Sequence, residues 1–117
     1  MLLGIGGAPE GVIAAVGIKC MGGNFQGRLI PYDNEEEARC AQMGIDCSQI
    51  LTLDDLVKGK EASYAATGIS DGALLRGVTF SANGIARTHS VVMRSETGTI
   101  RYVEAVHNFN RKPLYAF

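Results

Sequence analysis

Three observations predict a mixed α/β fold for this 117-residue chain. An apolar run at the N-terminus passes through a glycine loop and changes its period from strand to helix before residue 23. Two side-chain capping patterns open helices in the middle of the chain. From Val78 onward, β-rich runs alternate with turn residues, among them Asn83-Gly84 and Thr97-Gly98. The expected architecture is a layered mixed sheet with helices, its strand order undetermined.

Met1 to Ile5 is apolar and stops at Gly6-Gly7, which suits a buried strand ending in a tight loop. In the run Val12 to Cys20, residues Val12, Ile13, Val16 and Cys20 share one helical face. Pro9 suits the first turn, where a missing N–H costs nothing, and Gly22-Gly23 ends the helix. Arg28 to Tyr32 is expected as a short strand, with Pro31 confining it to an edge or an end. Asp33 caps a helix over Glu35 to Met43, Glu36 completes a capping box, and Gly44 with Ile45 stops it in a Schellman-like turn. Thr52-Leu53-Asp54-Asp55 repeats the capping pattern over a shorter helix ending at Gly59. Glu61 to Ile69 reads as a strand broken by Ser70-Asp71-Gly72. Val78–Phe80, Ile85–Arg94 and Thr99–Phe109 are strands joined by hairpins, and Asn110 to Phe117 carries no usable periodicity.

At 12.4 kDa the chain has room for one domain, residues 1–117. A compact fold of that length has a radius of gyration of roughly 13 Å. A hydrophobic fraction of 46% argues against disorder. A net charge of −1 supplies no general field for nucleic acid, and no apolar stretch approaches the ~20 residues of a membrane span. Cys20, Cys40 and Cys47 form neither a disulfide framework nor a zinc knuckle and fit a reducing cytosol. No basic region precedes an apolar one, so no secretory signal is expected. A chain that opens in mid-strand suggests that something normally precedes Met1.

The chemistry concentrates in Gly4-Ile5-Gly6-Gly7-Ala8-Pro9-Glu10-Gly11. A glycine loop between strand and helix lets backbone N–H groups approach an anion at the positive helix end. The third glycine of a dinucleotide fingerprint would fall on Pro9, and no Gly-Lys-Ser/Thr follows for a P-loop. Glu10 in the first turn gains from the helix dipole but would repel a bare phosphate. A divalent cation between the two resolves that conflict, since Mg²⁺ takes one or two carboxylates plus phosphate oxygens. Spacing alone favours the plainer reading, in which Glu10 is a helix-start acid and the glycines form a turn. By the same standard His89 and His107 read as satisfied or surface histidines, Cys20 as core, and Glu35-Glu36-Glu37 as a solvated helix start. Asp54 and Asp55 read as caps rather than a metal pair. A phosphate clamp among Arg28, Arg76, Arg87, Arg94, Arg101 and Arg111 needs geometry to nominate it.

The strings Gly4-Ile5-Gly6-Gly7-Ala8-Pro9-Glu10-Gly11-Val12 and Gly23-Asn24-Phe25-Gln26-Gly27-Arg28-Leu29 resemble those of class II fructose-1,6-bisphosphatases, the bacterial type, which in cyanobacteria also handles sedoheptulose 1,7-bisphosphate. Ala41-Gln42-Met43-Gly44-Ile45, Ala65-Ala66-Thr67-Gly68-Ile69-Ser70-Asp71-Gly72, Leu74-Leu75-Arg76-Gly77-Val78 and Ala86-Arg87-Thr88 continue the match in order. The resemblance covers the last third of a family member and implies the layered α/β architecture of the C-terminal domain of lithium-sensitive sugar phosphatases. It implies metal-assisted hydrolysis of the 1-phosphate of fructose 1,6-bisphosphate with Mg²⁺ or Mn²⁺, in a cytoplasmic homo-oligomer. Glu10 is carried over as a metal ligand, overturning the plainer reading, and Gly6 and Gly7 as substrate-binding positions, Gly7 through its backbone. The remaining ligands and catalytic groups of the family lie before the position of Met1, so no catalytic residue is assigned and this chain alone is expected to be inactive. The alternative is a stand-alone, non-catalytic module of the same fold that binds a sugar phosphate or serves assembly.

Overall fold

Pro9 in the first turn and Gly22 beyond the last bracket the helix α1, Ala8–Cys20. In the computed structural model, which describes residues 1–113, α1 ends in a Schellman motif. Gly22 sits at φ +73°, its N–H donates to the Lys19 carbonyl at 3.1 Å, and the Gly23 N–H donates to the Ile18 carbonyl at 2.9 Å. A two-residue strand, β1 (Gln26–Gly27), follows. The next helix, α2 (Asn34–Gln42), stops in the same way, with Gly44 at φ +70° and the Ile45 N–H on the Cys40 carbonyl at 2.8 Å. β2 (Leu51–Thr52) leads into a single turn, α3 (Leu53–Leu56), and is antiparallel to β1.

The capping patterns are present with one change. In α3 the Thr52 hydroxyl accepts the Asp55 N–H, and the Asp55 carboxylate accepts the Thr52 N–H at 2.8 Å. The Thr52 N–H, and after it the Thr52 hydroxyl donating to the same carboxylate at 2.8 Å, hold the Asp55 carboxyl below its ordinary range. In α2 the Asp33 side chain accepts the Glu36 N–H at 2.8 Å, but the Glu36 carboxylate reaches past the cap to the Tyr32 N–H, also at 2.8 Å. The expected reciprocal box is therefore shifted by one residue on its return arm.

The larger sheet is built on β5 (Ile85–Arg94) as its central strand. β6 (Thr99–Asn108) pairs with it along its whole length. The other edge of β5 is shared: β3 (Ser63–Thr67) lies opposite residues 90–94, and β4 (Thr79–Ser81) opposite residues 85–87. Both hairpin turns carry a left-handed glycine, Gly84 at φ +69° and Gly98 at φ +64°.

One face of this sheet carries Tyr64, Ala66, Val91 and Met93, and α1 lies on it. Cys20, Val91 and Met93 form the buried cluster, with Val16, Tyr64, Ala66 and Leu75 packed around them. Small residues allow the close approach: Ala15 and Gly17 are buried, and a Cβ on Gly17 would stand 3.2 Å from the Tyr64 ring. The Cys20 thiol points at the Ala62 carbonyl, 3.7 Å away, and burial pushes its pKa up. The other face, with Ala65, Val92 and Val103, is open.

Several expectations are corrected. Met1 to Ile5 forms no strand and is exposed, because none of the described strands runs beside it to pair its backbone groups. That segment and α1 were the pair able to supply a parallel neighbour, so the sheet expected to be mixed is antiparallel among the described residues. Arg28 to Tyr32 is not a strand; pairing with Leu51–Thr52 falls one step earlier, on Gln26 and Gly27. Of the predicted α1 face, Val16 and Cys20 turn inward while Val12 and Ile13 stay exposed, Ile13 at 58%. The radius of gyration is 18.6 Å, well above the compact expectation, since the N-terminal segment is exposed and, among the described residues, α1 packs on one sheet face. The last four residues of the chain's unpatterned tail, 114–117, lie outside the described residues.

Lys19 ties α1 to α3 and to the segment after it. Its Nζ donates to Asp54 Oδ1 at 3.0 Å and to the Val57 and Gly59 carbonyls at 2.7 and 2.8 Å. The lysine side chain is 15% exposed and Asp54 88%, so the two carbonyl bonds matter more than the ion pair. Lys19→Met is expected to lower the unfolding free energy by about 1–3 kcal/mol through the carbonyls it strands. Asp54→Ala should cost less than about 1 kcal/mol. Urea denaturation of the two variants checks the order, and an equal or larger loss for Asp54→Ala would contradict it.

Candidate functional site

The glycine loop delivers Glu10 to the third position of α1. Gly7 is the N-cap at φ −64°, ψ 151°, without a side-chain cap, and its carbonyl accepts the Gly11 N–H at 3.0 Å. The N–H groups of Ala8 and Glu10 precede the first intrahelical bond and have no partner within the helix. Pro9 between them has none to offer. A cap position with unpartnered donors and a positive dipole end is a place where an oxyanion is stabilised.

Gly6 and Gly7 differ in what holds them as glycine. A Cβ on Gly6 would meet open space, whereas a Cβ on Gly7 would overlap Oε2 of Glu10. The Glu10 carboxylate therefore folds back over Gly7, against the loop, and does not extend away from the helix. It is exposed and enters no ion pair among the described residues. A carboxylate in that position can donate an oxygen to a hard divalent cation while the helix start receives a phosphate. Among the described residues no group of three or more His, Cys, Asp or Glu side chains gathers around a metal-sized space. Glu10 fits as one donor of a site, not as a complete one.

The other candidates are accounted for locally. Asp55 closes the α3 cap and Asp54 faces Lys19, so the two carboxylates do not form a pair. Glu35 pairs with Arg39 at 3.0 Å within α2. His107 lies between the Thr88 hydroxyl and Lys112 Nζ, 2.9 Å from each. His89 accepts the Arg76 N–H on Nδ1 at 2.9 Å and stacks on Tyr102. Asp71 accepts the Gly77 N–H at 2.8 Å and braces its own loop. What sequence reasoning missed is the meeting of Arg76, Arg87, His89 and Glu104, drawn from three separate segments, and no spacing rule could have found it.

A glycine-capped helix start with a carboxylate folded over it has the makings of half of a metal–phosphate subsite on an α/β scaffold. The comparisons with known proteins narrow that class. A family model described as "Bacterial fructose-1,6-bisphosphatase, glpX-encoded" matches residues 1–107, and the chain belongs to that family. It is 45% identical over 120 residues to the D-fructose 1,6-bisphosphatase class 2/sedoheptulose 1,7-bisphosphatase of Synechococcus sp. (strain JA-3-3Ab), a match covering 91% of this chain and 34% of that protein. It is 40% identical over 120 residues to the fructose-1,6-bisphosphatase class 2 of Haemophilus influenzae, covering 92% and 36%. The chain thus spans about a third of the length of the curated relatives it matches.

Gly7→Ala separates geometry from stability. The backbone angles of residue 7 suit alanine, and the only atoms in the way are the end of a flexible side chain. The variant is expected to lose no more than about 1 kcal/mol while the Glu10 carboxylate swings off the loop. Side-chain carboxyl NMR of Glu10 beside a thermal melt checks this. An unmoved Glu10 resonance would mean the carboxylate does not rest over Gly7.

Proposed function

We propose that this chain forms part of a metal-dependent phosphatase that hydrolyses the 1-phosphate of fructose 1,6-bisphosphate to fructose 6-phosphate and phosphate, a step of gluconeogenesis that also serves glycerol metabolism. Membership of the family and the activity for which its relatives are named support the reaction. The observation that carries the site reading is the Glu10 carboxylate held over Gly7 at the start of α1. In this reading Glu10 would offer one oxygen to Mg²⁺ or Mn²⁺, and the Gly6-Gly7 backbone would receive the sugar phosphate. A bound divalent ion would neutralise phosphoryl oxygens and activate water; the chain's own part is to orient the carboxylate and present helix-start amides to the anion.

A place in the cytoplasm is part of the proposal; among the described residues no helix is long and apolar enough to cross a membrane. A homo-oligomer remains part of the proposal. Either heptulose or hexose bisphosphate suits the Gly6-Gly7 backbone, since backbone amides read phosphate and not the length of the sugar.

One carboxylate does not make a two-metal centre, so the 117-residue chain on its own is expected to release no phosphate from fructose 1,6-bisphosphate with Mn²⁺ present. In a polypeptide of full family length, Glu10→Gln is expected to lower kcat at least 100-fold with an unchanged melting temperature. Near-normal turnover of that variant at saturating Mg²⁺ or Mn²⁺ would remove Glu10 from the ligand set. Turnover by the 117-residue chain would show that ligands beyond it are dispensable.

A further inference from the structure

Arg76 and Arg87 come together on the sheet face that α1 partly covers. Arg87 projects from β5 and Arg76 from the loop between β3 and β4. Both reach Glu104 on β6, with Arg76 Nη2 at 3.4 Å from Oε2 and Arg87 Nη1 at 3.8 Å from Oε1. His89 sits two residues from Arg87 on the same face and directly across the ladder from Glu104. These residues, with Gly77, Thr79 and Thr88, line a cleft of about 120 Å³.

The loop that carries Arg76 is fixed before any ligand arrives. The Gly72 N–H donates to the Leu75 carbonyl at 2.9 Å and the Val78 N–H to the Ile69 carbonyl at 3.1 Å, while Asp71 holds Gly77. Two glycines let its strands touch: a Cβ on Gly68 would overlap the Arg76 carbonyl, and one on Gly77 would come within 2.9 Å of the Ile69 carbonyl. The sheet anchors it twice, through the Gly68 N–H on the His89 carbonyl at 3.0 Å and the Arg76 N–H on His89 Nδ1 at 2.9 Å. A backbone amide only donates, so Nδ1 is the acceptor and the neutral ring carries its proton on Nε2.

Two guanidinium groups and one carboxylate leave the cleft one formal positive charge. The contacts to Glu104 are longer than the 2.7–2.9 Å of strong charge-assisted hydrogen bonds. All three side chains are half-exposed or more, where ion pairs are weak. We propose that this cleft binds a phosphate group, free or as a sugar monoester, on the Arg76 and Arg87 guanidinium groups, with Glu104 as the internal anion it displaces. Guanidinium forks match a tetrahedral oxyanion, and a phosphate near neutral pH carries more charge than the single carboxylate it replaces. The proposal does not depend on the metal reading of Glu10.

The experiment is an NMR titration of the protein with inorganic phosphate at constant ionic strength, following the Arg76 and Gly77 amides and the His89 ring. Saturable shifts in the millimolar range are expected. Glu104→Gln should tighten binding about fivefold, and Arg87→Lys, which keeps the charge but loses the fork, should weaken it severalfold. Arg76→Gln with Arg87→Gln should abolish the shifts, and Glu10→Gln should leave them unchanged. A hexose monophosphate binding more tightly than phosphate assigns the ester, and equal binding assigns the free ion. Absent shifts, shifts that survive loss of both arginines, or weaker binding in Glu104→Gln would overturn the proposal and leave an ion triad that only joins the loop to the sheet.

Discussion

The structure depends on how closely α1 can approach the β3–β5 pair. Ala15 and Gly17 leave room for the Tyr64 ring, and Cys20 closes against Val91 and Met93. That contact forms the buried apolar cluster among the described residues. It also sets the position of the glycine loop, because a helix docked through its C-terminal half projects its N-terminal turn, and with it Glu10, beyond the packed region. A larger residue at 17 would lift the helix and move the site with it.

So little buried surface means that polar links carry much of the organisation. Lys19 joins α1 to α3 and the segment after it through three hydrogen bonds, one to Asp54 and two to the Val57 and Gly59 carbonyls. Ser95 joins the β5–β6 turn to the start of β3 by taking the Ala62 N–H at 2.8 Å and donating to the Lys60 carbonyl at 2.6 Å. Arg94 adds ion pairs with Glu61 and Glu96 at the same end. α2, which buries no residue, relies on its Asp33 cap, the Glu35–Arg39 pair and the Gly44 stop. A nine-residue helix without a packed face has little else to hold it.

Local chemistry was readable where it acts over a few residues. Gly22 and Gly44 end helices because only a residue tolerant of positive φ can close a Schellman motif. Thr52 and Asp55 form their box because the partners are three apart, and Ile85–Arg94 was placed to the residue because turns bound it on both sides. Met1 to Ile5 failed for the opposite reason: its apolar pattern describes a strand that some neighbour covers, and pattern alone does not supply the neighbour. Val12 and Ile13 are exposed on the same ground. The return arm of the α2 box, from Glu36 to Tyr32, turns on one rotamer that no sequence rule selects.

By itself the sequence determined the mixed α/β class, the three helices and the strands from Glu61 onward to within a few residues, and the loop from Gly4 to Gly11 that carries the family resemblance, all of them properties of residues near in the chain. Only the tertiary structure decided that β5 is central and flanked on one edge by two strands in succession. It alone seated the Glu10 carboxylate over Gly7 and gathered Arg76, Arg87, His89 and Glu104 into one cleft. Those outcomes rest on side-chain rotamers and on contacts between segments far apart in sequence, which packing selects and periodicity does not encode.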